Sequence, residues 1–117
     1  MRTNTLLGLG ICHYKQNNFD SAKPYLRSVL NVSPRLPQAL LPLADISYQE
    51  SKFLNARAFI ERYISIGARS EQALVLGANT ELQLGDADKA KQYVTELRRV
   101  YPSSSQITAL RERLNQG

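Results

Sequence analysis

Few side chains in this sequence could carry chemistry. Cys12 is the only cysteine and His13 the only histidine among 117 residues. A single thiol excludes an internal disulfide framework and any multi-cysteine metal site, and a single imidazole argues against a histidine-based metal centre or triad. Both fall mid-helix in the expected secondary structure, where a buried or half-buried structural role is the expectation for each. There is no Gly-rich phosphate loop, no Ser/His/Asp set and no pair of carboxylates at a convincing spacing. Glu50 and Glu61 are expected on exposed helix faces. These residue types speak against an enzyme and call for no metal or cofactor, so function must reside in a surface.

The charge balance narrows the kind of surface. Fifteen Lys and Arg against ten Asp and Glu give a formal net charge of +5, which modestly favours acidic partners, nucleic acid or an anionic membrane surface. The two signs are interleaved, however. Lys89 and Lys91 sit beside Asp86 and Asp88, and Arg111 and Arg113 flank Glu112. A nucleic-acid footprint should cluster its cations on one face, so a solvated face is the expected reading and no nucleic-acid partner is expected. Arg98, Arg99 and the arginines of the last helix are likewise expected to be solvated.

Two features bear on membranes. No apolar run reaches the length of about 18 residues that a spanning helix needs. Met1-Arg2 followed by Leu6-Leu7-Gly8-Leu9-Gly10-Ile11-Cys12 has the outline of a very short lipoprotein signal, but its basic region is one residue and its apolar region is too short. Ile11 also stands where a small residue should precede the cysteine. The segment is expected to be a helix, and the chain is expected to start inside a repeat array.

The elements that must build the surface follow a period of 34 residues. Leu9-Gly10, Tyr14, Phe19, Ala22, Leu26 and Pro34 return as Leu43-Ala44, Tyr48, Phe53, Ala56, Ile60 and Ala68, and again as Gly77-Ala78, Leu82, Ala87, Ala90, Val94 and Pro102. Helical spacing of the apolar residues predicts helices over about 3–16, 19–32, 37–50, 53–66, 71–84, 87–100 and 104–115. Asn17-Asn18 should break the first pair and Ser33-Pro34 the second helix. Pro24 is placed near a first turn, where a missing donor costs least. Gly67 should be a C-cap, Ser70 and Asp86 N-caps, and Ser103 with Gln106 a capping box. Pro42 conflicts with its helix, where it removes a backbone bond and should kink the axis. Each helix pair is too small to bury its own apolar stripe, so pairs must stack, with Gly10, Ala44, Ala78, Ala22, Ala56 and Ala90 allowing close approach.

A 34-residue period with small residues at these two places resembles the tetratricopeptide repeat. The resemblance implies an all-α right-handed superhelix of three helix pairs, at about 3–36, 37–70 and 71–104, plus a C-terminal capping helix at about 104–115, together forming one repeat domain over 1–117. It also implies a concave surface lined by the first helix of each pair. Carried onto this chain, that surface takes Asn4, Leu7, Ile11, Tyr14 and Lys15 from the first repeat, Gln38, Leu41, Asp45, Tyr48 and Gln49 from the second, and Gln72, Val75, Asn79, Leu82 and Gln83 from the third. The family's dicarboxylate clamp is absent, because Leu7, Leu41 and Val75 occupy places it needs. An apolar strip of Leu7, Leu41 and Val75 beside Tyr14 and Tyr48, rimmed by amides, suits an extended or helical peptide with apolar anchors. The two tyrosines could equally pack between neighbouring repeats. Asp45 could receive a basic partner side chain or form an ordinary surface ion pair.

A narrower resemblance lies in Leu43-Ala44-Asp45-Ile46-Ser47-Tyr48, Ala56-Arg57, Leu74-Val75-Leu76-Gly77 and Leu97-Arg98-Arg99-Val100-Tyr101-Pro102-Ser103. These look like the C-terminal half of the type IV pilus biogenesis and stability lipoprotein family, the tetratricopeptide pilotins of Gram-negative bacteria. The resemblance implies a parent lipoprotein at the periplasmic face of the outer membrane, held by a lipid anchor outside this sequence. Its partner would be the pilus secretin, which it helps to localise and assemble, or another pilus assembly component. The alternative is a general repeat scaffold that binds a peptide segment of an unrelated complex.

Overall fold

In the computed structural model, which describes residues 2–116, seven helices follow one another: α1 (Thr3–Lys15), α2 (Phe19–Val32), α3 (Pro37–Gln49), α4 (Phe53–Ser65), α5 (Glu71–Gln83), α6 (Ala87–Val100) and α7 (Gln106–Gln116). Met1, where the signal-like outline begins, lies outside the described residues; most of the remaining outline is helix α1. No helix among the described residues is long and apolar enough to cross a membrane.

The helices pack as α1 with α2, α3 with α4 and α5 with α6, and each pair then stacks on the next. The stack measures 47 × 25 × 21 Å, with a radius of gyration of 14.5 Å. A compact domain of this length would have about 13 Å, so the molecule is elongated, as a stack of three pairs requires. Ala22, Ala44, Ala56, Ala78 and Ala90 are completely buried. Gly10 is buried too, and a Cβ placed on it would lie 2.8 Å from Leu26 Cγ and Cδ2. The small residues are therefore where the helices of a pair touch, and the larger apolar residues, such as Leu26, Leu43, Ile60, Leu74 and Leu97, fill the space around them.

The turn inside each pair is built the same way three times. Asn18, Lys52 and Asp86 donate their N–H groups to the carbonyls of His13, Ser47 and Glu81 at 2.8, 2.8 and 2.9 Å. This requires a left-handed residue one place earlier, met by Asn17 (φ 62°), Ser51 (φ 61°) and Gly85 (φ 78°). Only glycine adopts that conformation without a Cβ penalty, so the first two turns carry local strain that the third does not. Ser70 accepts from the Ala73 N–H at 3.2 Å and Asp86 from the Lys89 N–H at 3.0 Å, as N-caps should. Gly67 follows α4 with φ 87°.

Several local expectations are corrected. The Ser103–Gln106 capping box does not form: α7 starts at Gln106, and Ser104 Oγ accepts the Gln106 N–H at 3.3 Å. The Tyr101–Ser104 turn, closed by a 3.0 Å backbone bond, delays the helix. Pro24 is the sixth residue of α2, beyond the first turn, and Pro42 is the sixth of α3. Both helices run on through them. Pro42 is buried, so its ring contributes apolar packing where the backbone bond is lost. Cys12 is exposed, not buried. Glu50 is half-buried, since Lys23 reaches it across the first and second pairs at 3.0 Å to both carboxylate oxygens.

Candidate functional site

The first helices of the three pairs, α1, α3 and α5, lie side by side, and α7 packs against α5 and α6. These three first helices carry the fifteen positions that the sequence leads one to expect on the concave surface. None is fully buried. Asn4, Lys15, Gln38, Gln49, Gln72 and Gln83 are exposed, whereas Leu7, Ile11, Tyr14, Leu41, Asp45, Tyr48, Val75, Asn79 and Leu82 are half-buried.

The middle of this surface is a groove of about 440 Å³. Asp45, Tyr48, Gln49, Gln72, Val75 and Asn79 line it, all expected from the sequence. The structure adds Glu71 and Leu76 from α5 and Gln106 from the start of α7. Those three were missed because the per-repeat pattern uses neither the first nor the sixth residue of the first helix, and Leu76 faces the preceding pair, while Gln106 lies outside the repeats. The positions Asn4, Leu7, Ile11, Tyr14 and Lys15 of α1, and Gln38, Leu41, Leu82 and Gln83, do not line this central groove.

The apolar strip is only partly available to a ligand. Leu7, Tyr14 and Leu41 pack against the core around Leu40 and Leu43, and Val75 and Leu82 pack against Leu74, Ala78 and Leu97. Tyr48 packs against Ala44, Ile60 and Leu76. Each tyrosine also meets the phenylalanine five residues on. Tyr14 stacks on Phe19 with centroids 6.3 Å apart, and Tyr48 meets Phe53 edge-on at 5.3 Å. Both tyrosines therefore serve inter-repeat packing while leaving part of each ring at the surface.

Polar contacts tie the groove walls together. The Tyr14 hydroxyl donates to Asp45 Oδ2 at 2.5 Å, and Gln49 Nε2 donates to the other carboxylate oxygen at 3.4 Å. Gln72 Nε2 reaches the same hydroxyl at 3.4 Å, a weak bond that joins the first repeat to the third. At the far end Arg113 of α7 donates to Asn79 Oδ1. Burial, helped by the Asp45 hydrogen bond and charge, pushes the Tyr14 phenol up to about 12. Its ordinary value is 10.0, so the folded state holds this proton more tightly than the unfolded chain. The associated stability is complete below pH 10 and is lost as pH rises through about 12. Ultraviolet titration of tyrosinate is expected to show a late step of two phenols, of which Tyr14→Phe loses one, with a shallower loss of stability in the variant over the same range. An unchanged late step in Tyr14→Phe would contradict this assignment. Tyr93 is a second late tyrosine, raised to about 12 first by burial and then by the charges of Glu81 and Glu61, and serves as the internal reference.

The lone imidazole and the lone thiol stand in separate surroundings. His13 stacks flat on Tyr25 with centroids 5.7 Å apart, and its Nδ1 is buried without a partner. Cys12 Sγ accepts from the Gln16 amide at 3.8 Å. Among the described residues no three His, Cys, Asp or Glu side chains group to hold a metal. Arg99 pairs with Glu96, while Arg98 is exposed beside a shallow cleft lined by Thr95, Ser104 and Thr108.

Comparison with known proteins agrees with this architecture. A tetratricopeptide-repeat family model matches residues 7–73, and a second matches residues 72–104. No curated protein matches the chain. Among solved structures, the chain is similar to PilW, described as a widely conserved type IV pilus biogenesis factor, with 28% identity and a TM-score of 0.76 over 90% of this chain and 48% of that one. It is also similar to PilF of Pseudomonas aeruginosa, with 25% identity and a TM-score of 0.84 over 95% of this chain and 50% of that one. The chain thus spans about half the length of these two proteins.

Proposed function

The chain belongs to the tetratricopeptide-repeat family, and from that premise we propose that it is a non-enzymatic protein-interaction module of type IV pilus biogenesis. It binds a partner segment along the concave groove. The partner is the pilus secretin or another pilus assembly component, and the module assists localisation and assembly of the secretin at the outer membrane. The parent protein works on the periplasmic face of that membrane. The observation that carries this reading is the likeness of nearly the whole chain to PilW, a type IV pilus biogenesis factor. The groove supplies the means, with exposed amides that can bond a peptide backbone and the part-exposed Tyr48 ring as an anchor.

Titration of the 117-residue chain with purified secretin subunit tests the proposal. Saturable binding is expected, and the double variant Gln49→Arg/Gln72→Arg is expected to weaken it by about tenfold or more, since it places bulk and charge inside the contact. Both residues are exposed, so the fold should survive, which circular dichroism would verify. Secretin binding unaffected by the double variant would remove the groove from the proposal. No binding to the secretin, with groove-dependent binding to another pilus component, would change the partner and keep the module.

A further inference from the structure

Among the described residues the ion pairs leave four carboxylates out, and two of them line the groove. Of the ten acidic residues, Asp20, Glu50, Glu61, Glu81, Asp86 and Glu96 each have a Lys or Arg nitrogen within 4.0 Å. Among the described residues Asp45, Glu71, Asp88 and Glu112 have none. Asp45 and Glu71 line the central groove, and no Lys or Arg shares that lining. The negative character is local to these two carboxylates: Arg113 reaches the far end of the groove at Asn79, and Lys15 stands on α1 outside the lining.

Asp45 is also held in place. Tyr14 bonds one of its carboxylate oxygens and Gln49 the other. An ionised carboxylate has about four acceptor positions, so two remain for a ligand. Its rotamer is set before the ligand arrives, which reduces the entropy lost on binding.

We propose that the groove recognises an extended, cationic peptide segment, with a Lys or Arg side chain of the partner received by Asp45 and supported by Glu71. This rests on the concave-groove reading above and adds the partner's chemistry to it. Gln49, Gln72 and Asn79 offer donors and acceptors to the peptide backbone, and Tyr48 and Val75 give an apolar floor for the neighbouring side chain. The charge preference is opposite to that of a carboxylate-binding clamp.

The test uses three fluorescein-labelled synthetic peptides of serine and valine that differ at one central residue: lysine, its uncharged isostere norleucine, or glutamate. Affinity for the whole chain is measured by fluorescence anisotropy at fixed salt. The lysine peptide is expected to bind about tenfold tighter than the norleucine peptide, the factor that one well-placed charge contact of about 1.4 kcal/mol gives. The glutamate peptide is expected to bind weakest. Asp45→Asn keeps an acceptor for Tyr14 and is expected to abolish the preference for lysine while leaving norleucine binding in place. Glu71→Gln is expected to reduce the preference in part. Equal affinity for the three peptides, no saturable binding of the lysine peptide, or a lysine preference that survives in Asp45→Asn would each overturn the inference. The secretin titration is read separately, so a groove that binds the secretin without preferring lysine would sink this inference and leave the proposed function standing.

Discussion

Replacing Arg57 by methionine is expected to cost about 3–5 kcal/mol of stability, measured by urea unfolding. Arg57 of α4 meets Glu81 of α5 in a two-pronged contact, Nε to Oε2 at 3.0 Å and Nη2 to Oε1 at 2.5 Å. Glu81 is only 1% exposed. Without the guanidinium its carboxylate stays buried with no compensating charge, and that penalty dominates. The pair itself adds little net stability, since two charges were taken out of water to form it. Arg57→Met/Glu81→Leu is therefore expected to recover the native stability or to exceed it. A cost below about 1 kcal/mol for the single variant would mean that water or a rearranged partner reaches Glu81. The geometry also gives the pair a role beyond energy: it crosses from the second helix pair to the third and admits one alignment of the two.

Leu26→Ala is expected to be the next most damaging change, at about 2–5 kcal/mol. Leu26 is fully buried where α2 crosses α1, directly against Gly10. Gly10→Ala alone forces a methyl into the 2.8 Å gap to Leu26, and overpacking of this kind costs about 1–3 kcal/mol. The gain in helix propensity returns about 1 kcal/mol of it. In the double variant the new methyl enters space that Leu26 has vacated, so the combined loss should be clearly smaller than the sum. Strict additivity in the double-mutant cycle would show that the two side chains do not share that space. Because repeat arrays are held by neighbour contacts alone, hydrogen exchange should place the loss in α1 and α2 first.

What the sequence made legible was the part governed by periodicity. Seven helices, their order and three of their caps follow from the 34-residue spacing of Gly10, Ala44 and Ala78 and from Ser70, Asp86 and Gly67, because each of those positions is fixed by local sterics or a local bond. Six of the fifteen positions expected to be concave line one groove, since stacking puts equivalent residues of neighbouring first helices side by side. What escaped was set by contacts between units. The Arg57–Glu81 and Lys23–Glu50 pairs join residues 24 and 27 apart, and no pattern within one repeat announces them. Tyr14 was open between anchoring a ligand and packing between repeats. The structure places its ring in the inter-repeat core and its hydroxyl on Asp45, which only the neighbouring helix could specify. The late start of α7 likewise depends on the Tyr101 turn and on Tyr101 itself, whose hydroxyl donates to the Arg69 carbonyl at 2.6 Å.

The Tyr14 hydroxyl has a mechanical consequence. A row of units that touch only their neighbours bends like a spring, with compliance at every joint. Here one hydroxyl of the first unit is bonded to Asp45 of the second and weakly to Gln72 of the third, on the inside of the arc. It acts as a chord drawn across the curve. Opening the arc stretches the chord, whereas tightening the arc leaves it slack. The molecule should therefore yield more readily to forces that close its concave mouth than to forces that widen it.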